Sequence, residues 1–93
     1  MTMPASARKV DRVLRKSLGF ERRMGKHKVY FLKVGRRVVA QTLISHGSKE
    51  ISDSLLSSMA RQMGITRRQL MDLIDGKLTR EDYFNLLREQ GKI

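Results

Sequence analysis

The chain has no cysteine and no tryptophan, and a single proline among its 93 residues. Without cysteine, disulfide bridges and thiolate-bound metal sites are excluded, and nothing points to an oxidising compartment. Long hydrophobic runs are also lacking, because the longest cover only residues 29–32 and 38–40. Residues 1–7 contain no apolar stretch of the kind that signal peptides carry. The sequence therefore predicts a cytoplasmic protein with no membrane span.

Negative charge is scarce: 20 Lys and Arg side chains stand against nine Asp and Glu, which gives a net charge of +11. Residues 1–50 hold 13 basic and three acidic side chains, whereas residues 51–93 hold seven and six. A positive field concentrated in one half of a small protein favours a polyanionic partner, since each neutralised phosphate releases counterions. We therefore expect nucleic-acid binding rather than charge kept only for solubility. A membrane surface is disfavoured because no basic amphipathic helix carries aromatic anchors.

The hydrophobic spacing changes along the chain from helical to extended and back. At this length we expect one domain, residues 1–93, around one modest core. The spacing predicts a first helix over residues 8–18, ended by Gly19. Segments rich in Val, Tyr, Phe and Thr, punctuated by Gly-Lys and Gly-Arg turns, then predict a three-stranded antiparallel meander over residues 20–24, 28–34 and 37–43.

Alternation along the middle strand assigns its side chains to two faces. Tyr30, Leu32 and Val34 form the more continuously apolar set, so we expect them to face the helices. The other set would lie on the open face of the sheet or at its rim, and it comprises His27, Val29, Phe31 and Lys33.

Helical spacing returns after residue 51. Ser52 or Asp53 is expected to cap a helix that ends at Gly64. Two later capping signatures predict two more short helices: Thr66 with Gln69, and Thr79 with Asp82. The predicted fold is therefore α+β, in the order α-β-β-β-α with a three-stranded antiparallel sheet, followed by two short C-terminal helices.

Two histidines are the candidate catalytic residues. His27 lies in the sequence Gly-Lys-His-Lys at a turn before a strand, and His46 lies in Ser-His-Gly-Ser-Lys-Glu before a helix. An imidazole can transfer a proton near neutral pH, and RNA supplies its own nucleophile in the 2′-hydroxyl. This chemistry requires neither a metal ion nor a cofactor. The alternative is that each histidine is a solvated surface residue or a phosphate contact.

Five basic residues are the candidate RNA-binding positions, because they cluster around the two histidines and the predicted hairpin. They are Lys26, Lys28, Arg36, Arg37 and Lys49. Lysines beside a histidine can stabilise the charge that develops on a phosphate during cleavage. No metal site is predicted, since no His-x-x-His or Asp-x-Asp spacing occurs.

A competing interpretation places a DNA-reading helix-turn-helix over residues 59–70. Gly64 would form its turn, and Arg67, Arg68 and Gln69 would open the recognition helix. Residues 51–75 hold three basic and three acidic side chains, so this segment is neutral while the positive charge lies elsewhere. Two helices joined by a glycine turn are also a common structural unit. A DNA-binding regulator and a non-catalytic RNA-binding module both remain alternatives.

An ordered set of short motifs runs along residues 8–65. In sequence order they are Gly19-Phe20 after the first helix, Gly25-Lys26-His27-x-x-Tyr30, Gly35-Arg36-Arg37, His46-Gly47-x-Lys49-Glu50-Ile51 and Ser54-Leu55. As an ordered set they resemble the HicA toxins of toxin-antitoxin systems.

The resemblance implies a fold similar to double-stranded RNA-binding domains, with helices on one face of the sheet. It also implies a metal-independent mRNA endonuclease in which His27 is essential, and a HicB-type antitoxin protein that covers it. Residues 66–93 lie beyond the HicA-like core of residues 8–65 and are expected to form a C-terminal helical extension.

Overall fold

The computed structural model describes residues 5–45, 47 and 49–93. The elements in chain order are β1 Ala5–Ser6, α1 Ala7–Arg12 with a π-helical continuation Val13–Ser17, β2 Glu21–Met24, β3 Lys28–Val34, β4 Arg37–Ile44, β5 Glu50–Ile51, α2 Asp53–Met63, α3 Arg67–Asp75 and α4 Arg80–Glu89. The predicted α+β fold with a three-stranded antiparallel sheet and two additional C-terminal helices is confirmed.

The first helix begins at a serine cap and ends at a glycine. The Ser6 hydroxyl accepts a hydrogen bond from the Lys9 amide. The π-helical turn closes with a 2.9 Å hydrogen bond from the Leu18 amide to the Val13 carbonyl. Gly19 then takes a φ of 82°, a left-handed conformation that lets the chain turn into the sheet. The predicted end of the helix is therefore confirmed.

The sheet has the strand order β2-β3-β4, with every neighbour antiparallel. Tyr30 and Leu32 are buried, as their alternation predicts. Val34, the last residue of β3, is 39% exposed and is therefore not buried as Tyr30 and Leu32 are. The register shift beside Leu32 and Lys33 leaves its extra residue, Val39, in β4, so the alternation of β3 continues and Val34 is exposed because it ends the strand beside the turn.

A second, very short ladder joins the two ends of the basic half. Ala5 pairs with Ile51 and Ser6 with Glu50 in an antiparallel register. The Ala7 amide also donates a 2.9 Å hydrogen bond to the Lys49 carbonyl. These bonds hold the backbone of Lys49 beside the start of α1.

The C-terminal helices pack into the same core as the sheet and α1. The Tyr83 hydroxyl of α4 donates a 2.9 Å hydrogen bond to the Met63 carbonyl at the end of α2. The Tyr83 ring stacks against Phe20, with ring centroids 6.2 Å apart. One hydrophobic cluster contains residues from α1, the sheet, α3 and α4, among them Val10, Leu14, Tyr30, Leu70, Leu73 and Leu87. The helices beyond residue 65 therefore contribute side chains to the hydrophobic core.

No helix in the described part of the chain is both long and apolar enough to cross a membrane.

Candidate nucleic-acid interface

A groove of about 490 Å³ opens where the start of α1 meets β2, β3 and the segment before β5. Four of the side chains that line it are cations, and one is an acid. The lining residues are Ser6, Ala7, Arg8, Asp11, Arg22, Lys28 and Lys49, and we call this surface the basic groove. Lys28 and Lys49 are two of the five predicted RNA-binding residues. Arg8 and Arg22 join them only in the folded chain.

Asp11 connects the first helix to the sheet at the side of the basic groove. One of its carboxylate oxygens accepts hydrogen bonds from Arg15, from Nε at 3.0 Å and from Nη2 at 2.8 Å. The other oxygen accepts from Arg22 Nη1 at 3.0 Å and from the Tyr30 hydroxyl. Because the Asp11 side chain is only 14% exposed, these four bonds fix it between the first helix and the sheet.

The same bonds determine the ionisation of Asp11. Burial by itself raises the pKa of this carboxyl, but hydrogen bonds from Arg15, Tyr30 and Arg22 outweigh burial and lower the pKa to about 2. Burial, together with the hydrogen bond to Asp11, raises the pKa of the Tyr30 hydroxyl. At neutral pH Asp11 is therefore an anion that orients Arg22 toward the groove. Sequence analysis missed this role, although an Asp followed by Arg15 four residues later is a typical helical ion pair.

His27 lies in the turn between β2 and β3, directly before Lys28. The turn residues Lys26 and His27 are exposed, and Lys28 begins β3 on the basic groove. No hydrogen bond or ion pair of the His27 side chain is found among the residues that the structure describes. Its imidazole is therefore accessible to a ligand that enters from the solvent.

The two arginines of the β3–β4 turn lie at the other end of the sheet. β3 has seven residues, so the Arg36 turn and the His27 turn are separated by roughly 20 Å, at about 3.3 Å per strand residue. Arg37 donates from Nη2 to the Lys92 carbonyl at 2.9 Å. The structure thus brings Lys28 and Lys49 together and leaves Arg36 and Arg37 outside the basic groove.

The family model described as the HicA toxin of bacterial toxin-antitoxin systems matches residues 7–65. This span is more than half of the 93 residues. The chain belongs to the HicA toxin family. Neither a curated protein nor a solved structure gives a significant match. The matched span contains His27 and all but one of the basic-groove residues, and as a HicA toxin the chain is expected to have a cognate antitoxin partner.

His46, the second candidate catalytic residue, lies outside the described residues. In the described ranges of this HicA chain, no three His, Cys, Asp or Glu side chains are grouped so that they could hold a metal ion. The described candidate residues are therefore His27 and the residues of the basic groove, with the arginine hairpin at a distance.

Two of the three residues assigned to DNA reading, Arg67 and Gln69, have structural partners in this HicA chain. Arg67 donates from Nη1 to an Asp53 carboxylate oxygen at 2.7 Å. The Gln69 side chain accepts from the Thr66 amide at 2.9 Å, which completes a capping box at the start of α3. Arg68 is exposed. These contacts favour the structural interpretation of residues 59–70.

Proposed function

We propose that this HicA toxin is a metal-independent endoribonuclease that binds mRNA through the basic groove and uses His27 to transfer a proton. One observation carries the proposal. The exposed His27 immediately precedes Lys28, which lines the groove together with Arg8, Arg22 and Lys49. A proton-transfer group thus adjoins a concave cluster of cations that suits a phosphodiester.

The reaction follows from the chemistry of RNA. The 2′-oxygen of one ribose attacks the adjacent phosphorus, and the bond between phosphorus and the 5′-oxygen of the next nucleotide breaks. The 2′-hydroxyl loses its proton and the leaving 5′-oxygen gains one, so the products are a 2′,3′-cyclic phosphate and a 5′-hydroxyl. His27 transfers one of these protons, a contribution of about 10² to 10⁴ in rate. His46 is the candidate for the other.

The cations around His27 have a separate task. Lys28 and Lys49 neutralise the phosphate on which negative charge accumulates. Lys26, in the same turn as His27, contacts a neighbouring phosphate of the RNA backbone. Arg22 is held by Asp11, so its guanidinium is oriented before RNA binds. Arg36 and Arg37 bind phosphates farther along the strand. In this scheme proton transfer rests on the histidines, whereas phosphate binding and charge neutralisation rest on the cations.

The antitoxin partner is proposed to be a HicB-type protein that covers His27 and the basic groove. Carboxylates on such a partner would neutralise the cations and block access of RNA. Coexpression of the antitoxin from the adjacent reading frame should relieve growth inhibition caused by this chain. Growth inhibition that continues in the presence of that protein contradicts the assignment of the partner.

The proposed reaction is tested by incubating the purified chain with single-stranded RNA and with DNA of the same sequence, both in EDTA. RNA should be cut to fragments that end in 2′,3′-cyclic phosphate, whereas DNA should stay intact because it lacks the 2′-hydroxyl. A requirement for added divalent metal, or cleavage of the DNA, contradicts the mechanism. Tight RNA binding with no cleavage leaves the non-catalytic RNA-binding module.

A further inference from the structure

The sheet face turned away from the helices carries an aromatic ring between cations. A shallow depression of about 320 Å³ lies on this face. The residues that line it come from all three strands of the sheet: Arg23, Val29, Phe31, Lys33, Val38 and Gln41. We call this surface the open face. The register places Arg23 opposite Val29 and Phe31 opposite Gln41, so the depression crosses the sheet from edge to edge.

Phe31 has no place in the hydrophobic core. It belongs neither to the buried core cluster nor to the partly buried residues packed against that cluster. The Arg23 guanidinium carbon lies 5.7 Å from its ring centroid, and the Lys33 ammonium nitrogen lies 5.4 Å away. Val38, beside them, is 45% exposed. The ring contributes little to core packing and lies between two cations. The surface therefore suits a ligand that can stack on an aromatic ring and also carries negative charge.

We propose that the open face binds an unpaired segment of the RNA substrate, with a base stacked on Phe31 and the flanking phosphates held by Arg23 and Lys33. This inference rests on the proposed function, because it takes RNA as the substrate. Single-stranded nucleic acids bind to surfaces that combine aromatic rings for stacking with cations that follow the backbone. Glu21, opposite Phe31 in the register, supplies one negative charge against the two positive ones.

The position of Phe31 along β3 supports the same path for the RNA. Phe31 is the central residue of β3, with the His27 turn before the strand and the Arg36 turn after it. An RNA strand that extends from His27 to the arginine hairpin therefore crosses the middle of the sheet. The open face would join two sets of predicted RNA contacts that the basic groove alone does not connect.

The test uses a tryptophan at the proposed stacking position. The chain contains no tryptophan, so Phe31→Trp introduces a single fluorescent reporter that keeps an aromatic ring. The probe is a short single-stranded DNA oligonucleotide, which cannot be cleaved by attack of a 2′-hydroxyl. We expect its addition to quench the fluorescence to a saturable limit. An abasic oligonucleotide of the same length should bind through its phosphates and leave the fluorescence nearly unchanged.

Affinity supplies the second measurement. In the otherwise unchanged chain, Phe31→Leu should weaken oligonucleotide binding by roughly 5- to 150-fold, the range expected for loss of one stacked base. Circular dichroism should show that the variant remains folded, because Phe31 lies outside the core cluster.

Phe84 on α4 offers a matched control. Its ring also has a guanidinium nearby, with the Arg80 carbon 5.1 Å from the centroid, but unlike Phe31 it packs against the hydrophobic core cluster and lies on a helix outside the open face. Phe84→Trp should not be quenched by the oligonucleotide. Wild-type affinity in Phe31→Leu, or an unquenched Phe31→Trp, overturns the proposal. Loss of antitoxin binding alone in Phe31→Leu would reassign the open face to a protein partner.

The experiments distinguish failure of the ribonuclease mechanism from failure of the stacking site on the open face. If the chain does not cleave RNA but the oligonucleotide still quenches Phe31→Trp, the ribonuclease mechanism is wrong and the stacking site stands. If RNA is cleaved and Phe31→Leu binds and cleaves like the wild type, the open face carries no RNA.

Discussion

The two halves of the chain use their charged and polar side chains in different ways. In residues 5–51, Arg8, Lys28 and Lys49 surround an open groove. In residues 52–93, Thr66 with Gln69 and Thr79 with Asp82 form capping boxes that satisfy helix termini. If the proposed function holds, the excess positive charge lies in the half that binds RNA, while the half with balanced charge completes the core.

Asp11 is the exception within the basic half. It is the acidic residue of the first helix, and it binds Arg15, Arg22 and Tyr30. Its bonds serve the structure, as the polar contacts of the C-terminal half do, but they also set the orientation of a groove cation.

The largest expected effect concerns the C-terminal half. Leu87 is fully buried in the shared core, so Leu87→Ala should lower the free energy of unfolding by about 2–5 kcal/mol. Denaturant unfolding measures this change. Glu89→Ala, an exposed position on the same helix, is the control and should change stability by less than about 0.5 kcal/mol. Equal, small effects would show that α4 is dispensable for the core.

The next effect concerns RNA binding by the basic groove. Lys28→Gln with Lys49→Gln removes two of the proposed phosphate contacts, which should reduce the slope of log affinity against log salt by about 1.4 and weaken binding roughly 25-fold at 0.1 M salt. The matched control, Arg68→Gln with Lys77→Gln, removes the same charge from the C-terminal half, where both side chains are exposed. If both double variants lose affinity equally, overall charge rather than the groove determines binding.

The smallest effect concerns the pH dependence of stability. The pKa of Asp11 falls from 3.8 to about 2 on folding, so its contribution is fully present above about pH 4 and is lost as the pH falls through about 2. Asp11→Asn should lower the free energy of unfolding by about 1–2 kcal/mol at pH 7. The difference between variant and wild type should shrink as the pH is lowered from 4 to 2. A difference that is independent of pH would mean that the Asp11 carboxylate is not the stabilising group.

Much of the fold could be predicted from local patterns. The first helix, the meander and the capped C-terminal helices each depend on spacing and caps within a few residues, as Gly19 and the Thr66–Gln69 pair illustrate. The burial of Tyr30 and Leu32 followed from strand alternation. Val34 is exposed despite its place in the alternation, because it ends β3 beside the turn, and how far the core extends along a strand is not visible in the alternation.

The candidate site was predictable only in part. Lys28 and Lys49 were identified from their nearness in sequence to a histidine. Arg8 and Arg22 reach the same groove through the β1–β5 ladder and the packing of α1 on the sheet, which are contacts between distant residues. The partners of Asp11 lie four, 11 and 19 positions away, and only the first is visible as a helical spacing.

The central claim, that His27 performs chemistry while the groove cations hold phosphate, is tested most directly by single-turnover cleavage of RNA at saturating protein. His27→Ala should reduce the rate of cleavage of bound RNA by about 10² to 10⁴, with RNA affinity nearly unchanged, because the lysines and arginines of the proposed interface remain to bind the phosphates. Lys28→Gln should instead weaken binding more than it slows cleavage of bound RNA. A His27→Ala variant that cleaves bound RNA at the wild-type rate would contradict the account.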